Sequence, residues 1–138
     1  MRVCKNCGKE LKGRFDRKSY CDESCFQSSR YKDFIEKWLL GFEAGTRGKT
    51  ATSANIKRYL IETRGNRCEK CGWHEVNPTT NKVPIELEHI DGVWNNNKIE
   101  NLILLCPNCH SLTPTYRSLN KGNGRTARKY LIGKVSCA

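Results

Sequence analysis

Apolar positions recur at helical spacing in two stretches of the chain. In 32–42, Lys-Asp-Phe-Ile-Glu-Lys-Trp-Leu-Leu-Gly-Phe, the residues Phe34, Ile35, Trp38, Leu39 and Phe42 form a stripe that predicts a short amphipathic helix with core on one side. In 55–63, Ile56, Tyr59 and Leu60 make an apolar face; Ser53 or Asn55 is placed to cap this helix and Gly65 to end it. Between the two, Gly41 to Ala54 is rich in Gly, Thr, Ser and Ala and reads as a linker or flexible loop carrying Arg47 and Lys49. The period changes to two at Pro84-Ile-Glu-Leu-Glu-His-Ile90, which predicts a strand ended by Asp91-Gly92. An Asn-rich loop, Trp94 to Asn101, leads to the apolar run Leu102 to Leu105, read as the returning strand. Cys106-Pro-Asn-Cys-His-Ser then opens a last helix, with Pro107 in the first turn where proline is tolerated. Ser118 to Lys129 is rich in Gly, Asn, Arg and Lys and reads as a basic arm.

The cysteines change this picture. A chain of 138 residues makes one compact domain or two very small ones, and cores of that size are commonly braced by metals or disulfides. Eight of the nine cysteines fall into four close pairs: Cys4/Cys7, Cys21/Cys25, Cys68/Cys71 and Cys106/Cys109. Two pairs complete one tetrahedral zinc site, so the arithmetic gives two structural zinc ions and leaves Cys137 as a spare thiol. Cys-Lys-Asn-Cys-Gly is a knuckle whose glycine permits the turn that aims backbone N–H groups at thiolate sulfur. The pair Cys21/Cys25 is expected to open a helix through Phe26 to Tyr31, giving a treble-clef or ribbon-like finger over 1–30. Disulfides are the competing reading. The start, Met-Arg-Val-Cys, has no apolar signal region, and no stretch reaches the roughly 18 apolar residues of a membrane span. A reducing, cytoplasmic setting is therefore expected, where thiolates meet metals more often than one another.

Charge narrows the partners. Lys plus Arg number 25 against 14 Asp plus Glu, a net charge of +11, which favours a polyanion: nucleic acid first, an anionic membrane second. Lys57, Arg58 and Arg64 are placed to touch phosphates or to be solvated.

Between the third and fourth cysteine pairs lie Glu86, Glu88, His89 and Asp91, dense in metal-binding and proton-transfer groups, and His110 follows a zinc ligand directly. Leu-Glu-His-Ile-Asp-Gly and Asn-Leu-Ile-Leu-Leu-Cys-Pro-Asn-Cys-His resemble the motif of the HNH (ββα-metal) endonucleases in their zinc-braced form, as found in bacteriophages. Glu88-His89, Asn101 12 residues after His89 and His110 9 further on reproduce that family's spacing. The resemblance covers roughly 66–116, with a weaker likeness along the whole chain.

The resemblance implies a small α+β fold. A ββα-metal domain over 55–117 would be braced by Cys68, Cys71, Cys106 and Cys109. A Cys4, Cys7, Cys21, Cys25 finger over 1–30, a helix and flexible linker over 31–54 and a basic tail over 118–138 would surround it. It also implies a nuclease in which Glu88 and His110 hold one divalent ion and His89 is the general base on the attacking water. Asn101 would shape the loop through side-chain to backbone bonds. A carboxylate suits Mg²⁺ and an imidazole shifts preference toward Mn²⁺ or Ni²⁺, so Mg²⁺ or Mn²⁺ is expected and Ni²⁺ tolerated. Adjacent strand residues point to opposite faces, so Glu88 and His89 share one centre only where the strand twists or ends. Glu86 is expected to face solvent, Asp91 to make a turn, and Asn95, Asn96 and Asn97 to form the loop, with Asn97 a stand-in for Asn101. Trp73 and Trp94 are expected to pack around the zinc frame. The reading from another class is a non-catalytic double zinc-finger regulator of nucleic acid. It accounts for the charge and the cysteines but not for Glu88, His89, Asn101 and His110 together.

Overall fold

The computed structural model describes residues 1–12, 19–48 and 51–121, in two compact units, Met1–Glu43 and Ala44 onward. Lys49, Cys137 and most of the basic tail lie outside the described residues.

In the first unit Cys4 and Cys7 stand in a knuckle. The Gly8 N–H bonds the Cys4 carbonyl at 2.9 Å and the Cys4 N–H bonds the Lys9 carbonyl at 2.8 Å. A bridge between Val3 and Glu10 closes the two arms. Helix α1 follows, Glu23–Leu39. It starts where Asp22 accepts the Cys25 N–H at 2.7 Å, an N-cap that satisfies an otherwise unpaired donor. That bond, set against burial, holds the Asp22 carboxyl below its ordinary range.

The two helices expected over 26–31 and 32–42 are one, because no breaker separates Tyr31 from Lys32 and the apolar stripe runs on to Ile35 and Trp38, both buried. The helix stops three residues short of Phe42. Gly41 adopts φ +83°, its N–H bonds the Trp38 carbonyl at 3.1 Å and the Phe42 N–H bonds the Lys37 carbonyl at 2.8 Å, the Schellman arrangement that ends a helix. Leu39 and Phe42, expected in the core, are exposed.

The second unit begins with a short antiparallel hairpin, β1 Thr46–Arg47 against β2 Ala51–Thr52, where a flexible linker was expected. Two-residue strands carry too little alternation to be read from sequence. Helix α2, Ala54–Arg64, is capped by Ser53 and closed by Gly65, as its pattern predicts. Strand β3, Glu86–His89, is shorter than the run from Pro84 to Ile90. It pairs antiparallel with β4, Leu102–Leu105, in the register Glu86↔Leu105, Leu87↔Leu104, Glu88↔Ile103 and His89↔Leu102. Helix α3, Pro107–Ser111, follows at once and packs on both strands. The core between α2 and this hairpin is Ile56, Leu60, Ile85, Leu102, Leu104 and Leu105, all nearly or wholly buried. No helix among the described residues is long and apolar enough to cross a membrane.

Arg64 ties these parts together instead of reaching outward. From the end of α2 it donates to the carbonyl of Leu102 at 2.8 Å and of Ile99 at 3.2 Å, and its Nη1 lies 3.2 Å from Glu69. Glu69 in turn accepts the Leu104 N–H at 2.5 Å. One guanidinium so joins helix, cysteine knuckle and hairpin. Arg64→Ala removes the cation beside a half-buried carboxylate and the side-chain donor to two carbonyls, and is expected to cost about 1.5–3 kcal/mol in a urea melt of the zinc-loaded protein. A change below about 0.5 kcal/mol, the scale of an exposed ion pair, would show these groups to be solvated.

Candidate active site

The cysteine sulfurs form two groups, Cys4, Cys7, Cys21, Cys25 and Cys68, Cys71, Cys106, Cys109, and within each group all four lie within 4.8 Å of one another. The separations given by Cys7–Cys21, 3.7 Å, and Cys71–Cys106, 3.8 Å, match the roughly 3.8 Å edge of a tetrahedron with Zn–S bonds near 2.3 Å. Both quartets therefore fit a tetrahedral ion. The knuckles have the same build: Gly72, at φ +78°, donates to the Cys68 carbonyl at 2.9 Å as Gly8 does to Cys4. Burial pushes the Cys68 thiol up, but N–H groups of Cys106, Cys71 and Lys70 outweigh it and bring it down to about 6. Cys4 reaches about 6 in the same way, through N–H groups of Cys7, Cys21 and Asn6. Cys109 goes the other way, to about 12, through burial and then through sharing its proton with the neighbouring sulfurs.

Alternation along β3 sends Glu86 and Glu88 to one side and His89 to the other. On the first side they meet His110, carried by α3 one residue after Cys109. His110 Nε2 lies 2.7 Å from Glu88 Oε2, and its Nδ1 contacts Glu86. Thr115 donates to the second Glu88 oxygen at 3.3 Å, and the Tyr116 ring meets the imidazole edge-on with centroids 5.1 Å apart. Glu86, expected to face solvent, is thus part of this cluster; its two-residue offset from Glu88 was the available signal. Two ligands on neighbouring octahedral positions, with bonds of about 2.1 Å, stand about 3 Å apart, so Glu88 Oε2 and His110 Nε2 fit one divalent ion between them. Glu86 then accepts Nδ1–H, the usual outer partner of a metal-binding histidine.

His89 closes β3, and its Nε2 lies 2.8 Å from Asn97 Oδ1. Asn101 does not touch the ring. It is buried under the turn that follows, where its amide donates to Asp91 Oδ1 and to the Asn96 carbonyl at 2.9 Å each and accepts the Asp91 N–H at 3.1 Å. Asp91 makes the expected turn, accepting the Val93 N–H at 2.8 Å. Burial raises the Asp91 carboxyl, but bonds from Asn96, Val93 and Asn101 outweigh it and hold the group below its ordinary range. Gly92, at φ +73°, lets the turn close on Thr115 and Asn120, whose side-chain atoms come within 2.8 Å of where a Cβ would stand. The structure thus assembles three small groups: Glu88 with His110 and Glu86, His89 with Asn97, and Asn101 with Asp91. Sequence reasoning missed the roles of Glu86 and Asn97.

Residues 68–113 match the model of the HNH endonuclease family. Among individual proteins, it is 40% identical over 96 residues to the H-N-H endonuclease F-TflIV of Escherichia phage T5, an alignment covering 66% of this chain and 40% of that protein. It is 28% identical over 129 residues to the Zorya protein ZorE of Escherichia coli, covering 86% of this chain and 34% of that protein. The chain therefore spans well under half the length of these two relatives. No solved structure matches.

The purified protein is expected to release two zinc equivalents per chain when its thiols are titrated with a mercurial, and Cys106→Ser to keep one while losing the fold of the second unit by circular dichroism. Two retained equivalents in Cys106→Ser, or none in the wild type, would contradict the quartets.

Proposed function

We propose that the chain is a metal-dependent DNA endonuclease that hydrolyses phosphodiester bonds, with His89 as general base and one divalent ion held by Glu88 and His110. The observation that carries this reading is the division of β3. Its one side brings the Glu88 carboxylate against the His110 imidazole of α3 at ligand spacing, and its last residue is a histidine held by a side-chain amide. Both lie inside the segment that matches the HNH endonuclease family.

Hydrolysis of a phosphodiester needs a water that loses a proton as it attacks, and relief of charge on the departing oxygen. His89 takes that proton, as an imidazole suits a base working near neutral pH. Asn101 and Asp91 hold the turn after β3 and so the ring's position. Glu88 and His110 hold the cation, steadied by Thr115 and Glu86. Bound there, the ion supplies positive charge to the scissile phosphate and the leaving oxygen. One carboxylate with one imidazole suits Mg²⁺ or Mn²⁺ and tolerates Ni²⁺.

Two zinc ions fill the cysteine quartets: the first holds a treble-clef or ribbon-like finger, and the second braces a ββα-metal domain. The net charge of +11 matches a DNA backbone, and binding is expected to weaken steeply with salt. A single centre acts on one strand per event, so the product is a nick. The setting is the cytoplasm, that of the host for a phage-encoded protein.

Supercoiled plasmid incubated with the zinc-loaded protein is expected to relax with Mg²⁺ or Mn²⁺ and to stay intact with EDTA. His89→Ala is expected to lose at least about 100-fold in rate while binding the plasmid as tightly as the wild type. Metal-independent binding by both proteins with cleavage by neither would move the assignment to a non-catalytic double zinc-finger regulator.

A further inference from the structure

Asn97 is buried, 4% exposed, and both ends of its amide are engaged. Its Nδ2 donates to the Ala44 carbonyl at 3.2 Å, which can only accept, so Oδ1 is the end that faces His89. An oxygen can only accept from the ring, so in the neutral imidazole the contact calls for the proton on Nε2 and leaves the lone pair on Nδ1. Thr52 donates to the same Oδ1 at 3.2 Å. Thr52 ends the β1–β2 hairpin and Ala44 lies two residues before it, and both precede the family-matched residues 68–113 by more than a dozen positions.

We propose that Asn97, clamped by the β1–β2 hairpin, is a positioning residue that fixes the tautomer and aim of His89, so that Nδ1 is the nitrogen that takes the proton from water. The hairpin, a segment outside the matched domain, thereby becomes part of the active-site support. Contacts from Ala44, Thr52 and His89 converge on one buried amide, and the bond to the ring is the one that selects a tautomer. The assignment of Nδ1 rests on His89 being the base. The tautomer itself does not.

The test separates the two. The chain has three histidines, so long-range ¹H–¹⁵N spectra of the full-length zinc-loaded protein can assign each ring. Recorded at about pH 8, where an ordinary imidazole is neutral, His89 is expected to show a protonated Nε2 and a bare Nδ1. Asn97→Leu is expected to mix the tautomers and to lower kcat about 100-fold with KM within about twofold. Thr52→Val, a milder change outside the loop, is expected to shift both readouts in the same direction by less, and Thr52→Ser to restore them. A proton on Nδ1 in the wild type overturns the proposal whatever the activity, and so does an unchanged tautomer with unchanged kcat in Asn97→Leu. Full cleavage by His89→Ala would instead overturn the reading of His89 as base and leave the tautomer assignment standing.

Discussion

The second cysteine quartet is the constraint on which the rest depends. Cys71 and Cys106 are 35 residues apart in sequence, and their sulfurs lie 3.8 Å apart. The stretch between them contains β3, the Asn-rich loop and β4, and a hairpin of two four-residue strands is marginal by itself in water. An ion held by the quartet would fix both ends of that stretch and remove most of the loop freedom that folding would otherwise have to overcome. The quartet also sets α3, because Cys106 is its N-cap and Cys109 lies in its first turn. His110 follows Cys109, so its position is inherited from the cysteine frame and not from a large core. Arg64 and Glu69 extend the brace to α2 through hydrogen bonds to β4.

Given that frame, elementary strand geometry distributes the chemistry. Alternation puts Glu86 and Glu88 on the side that α3 covers and turns His89 away from them. The end of the strand at His89, followed by the tight turn of Asp91 and Gly92, lets neighbouring residues serve different tasks. In the proposed mechanism cation holding falls to Glu88 and His110, and proton transfer to His89. Each has its own support: Glu86 and Thr115 for the first, Asn97 for the second. Asn101 maintains the turn between them. A buried asparagine is costly unless all its groups are paired, and both Asn97 and Asn101 are.

Much of this was legible in the sequence because the signals are local. The cysteine spacing, the cap and stop of α2, the apolar run of β4 and the proline at the start of α3 each act within a few residues. The spacing of His89, Asn101 and His110 marked them as a candidate set, and the fold sets His110 against Glu88 and Asn101 against Asp91. Other features depend on contacts between distant segments. The β1–β2 hairpin is two residues per strand and had no period to read. Asn97 looked like its loop neighbours Asn95 and Asn96, and only its contacts with Ala44 and His89 distinguish it. Arg64 carried the same charge signal as Lys57, and its burial against β4 follows from the packing of α2. Glu86 was legible in part, since its offset from Glu88 fixes its face, but the partner on that face came from α3.

The central claim is that the two sides of β3 have separate tasks, and Mn²⁺ binding to the zinc-loaded protein, followed by electron paramagnetic resonance, tests it most directly. The account predicts one Mn²⁺ per chain in the wild type and in His89→Ala. It predicts affinity lowered at least about tenfold by Glu88→Gln or His110→Ala and about 10- to 100-fold by Glu86→Gln, the effect of losing a metal ligand's outer partner. Loss of the site in His89→Ala with retention in His110→Ala would contradict it.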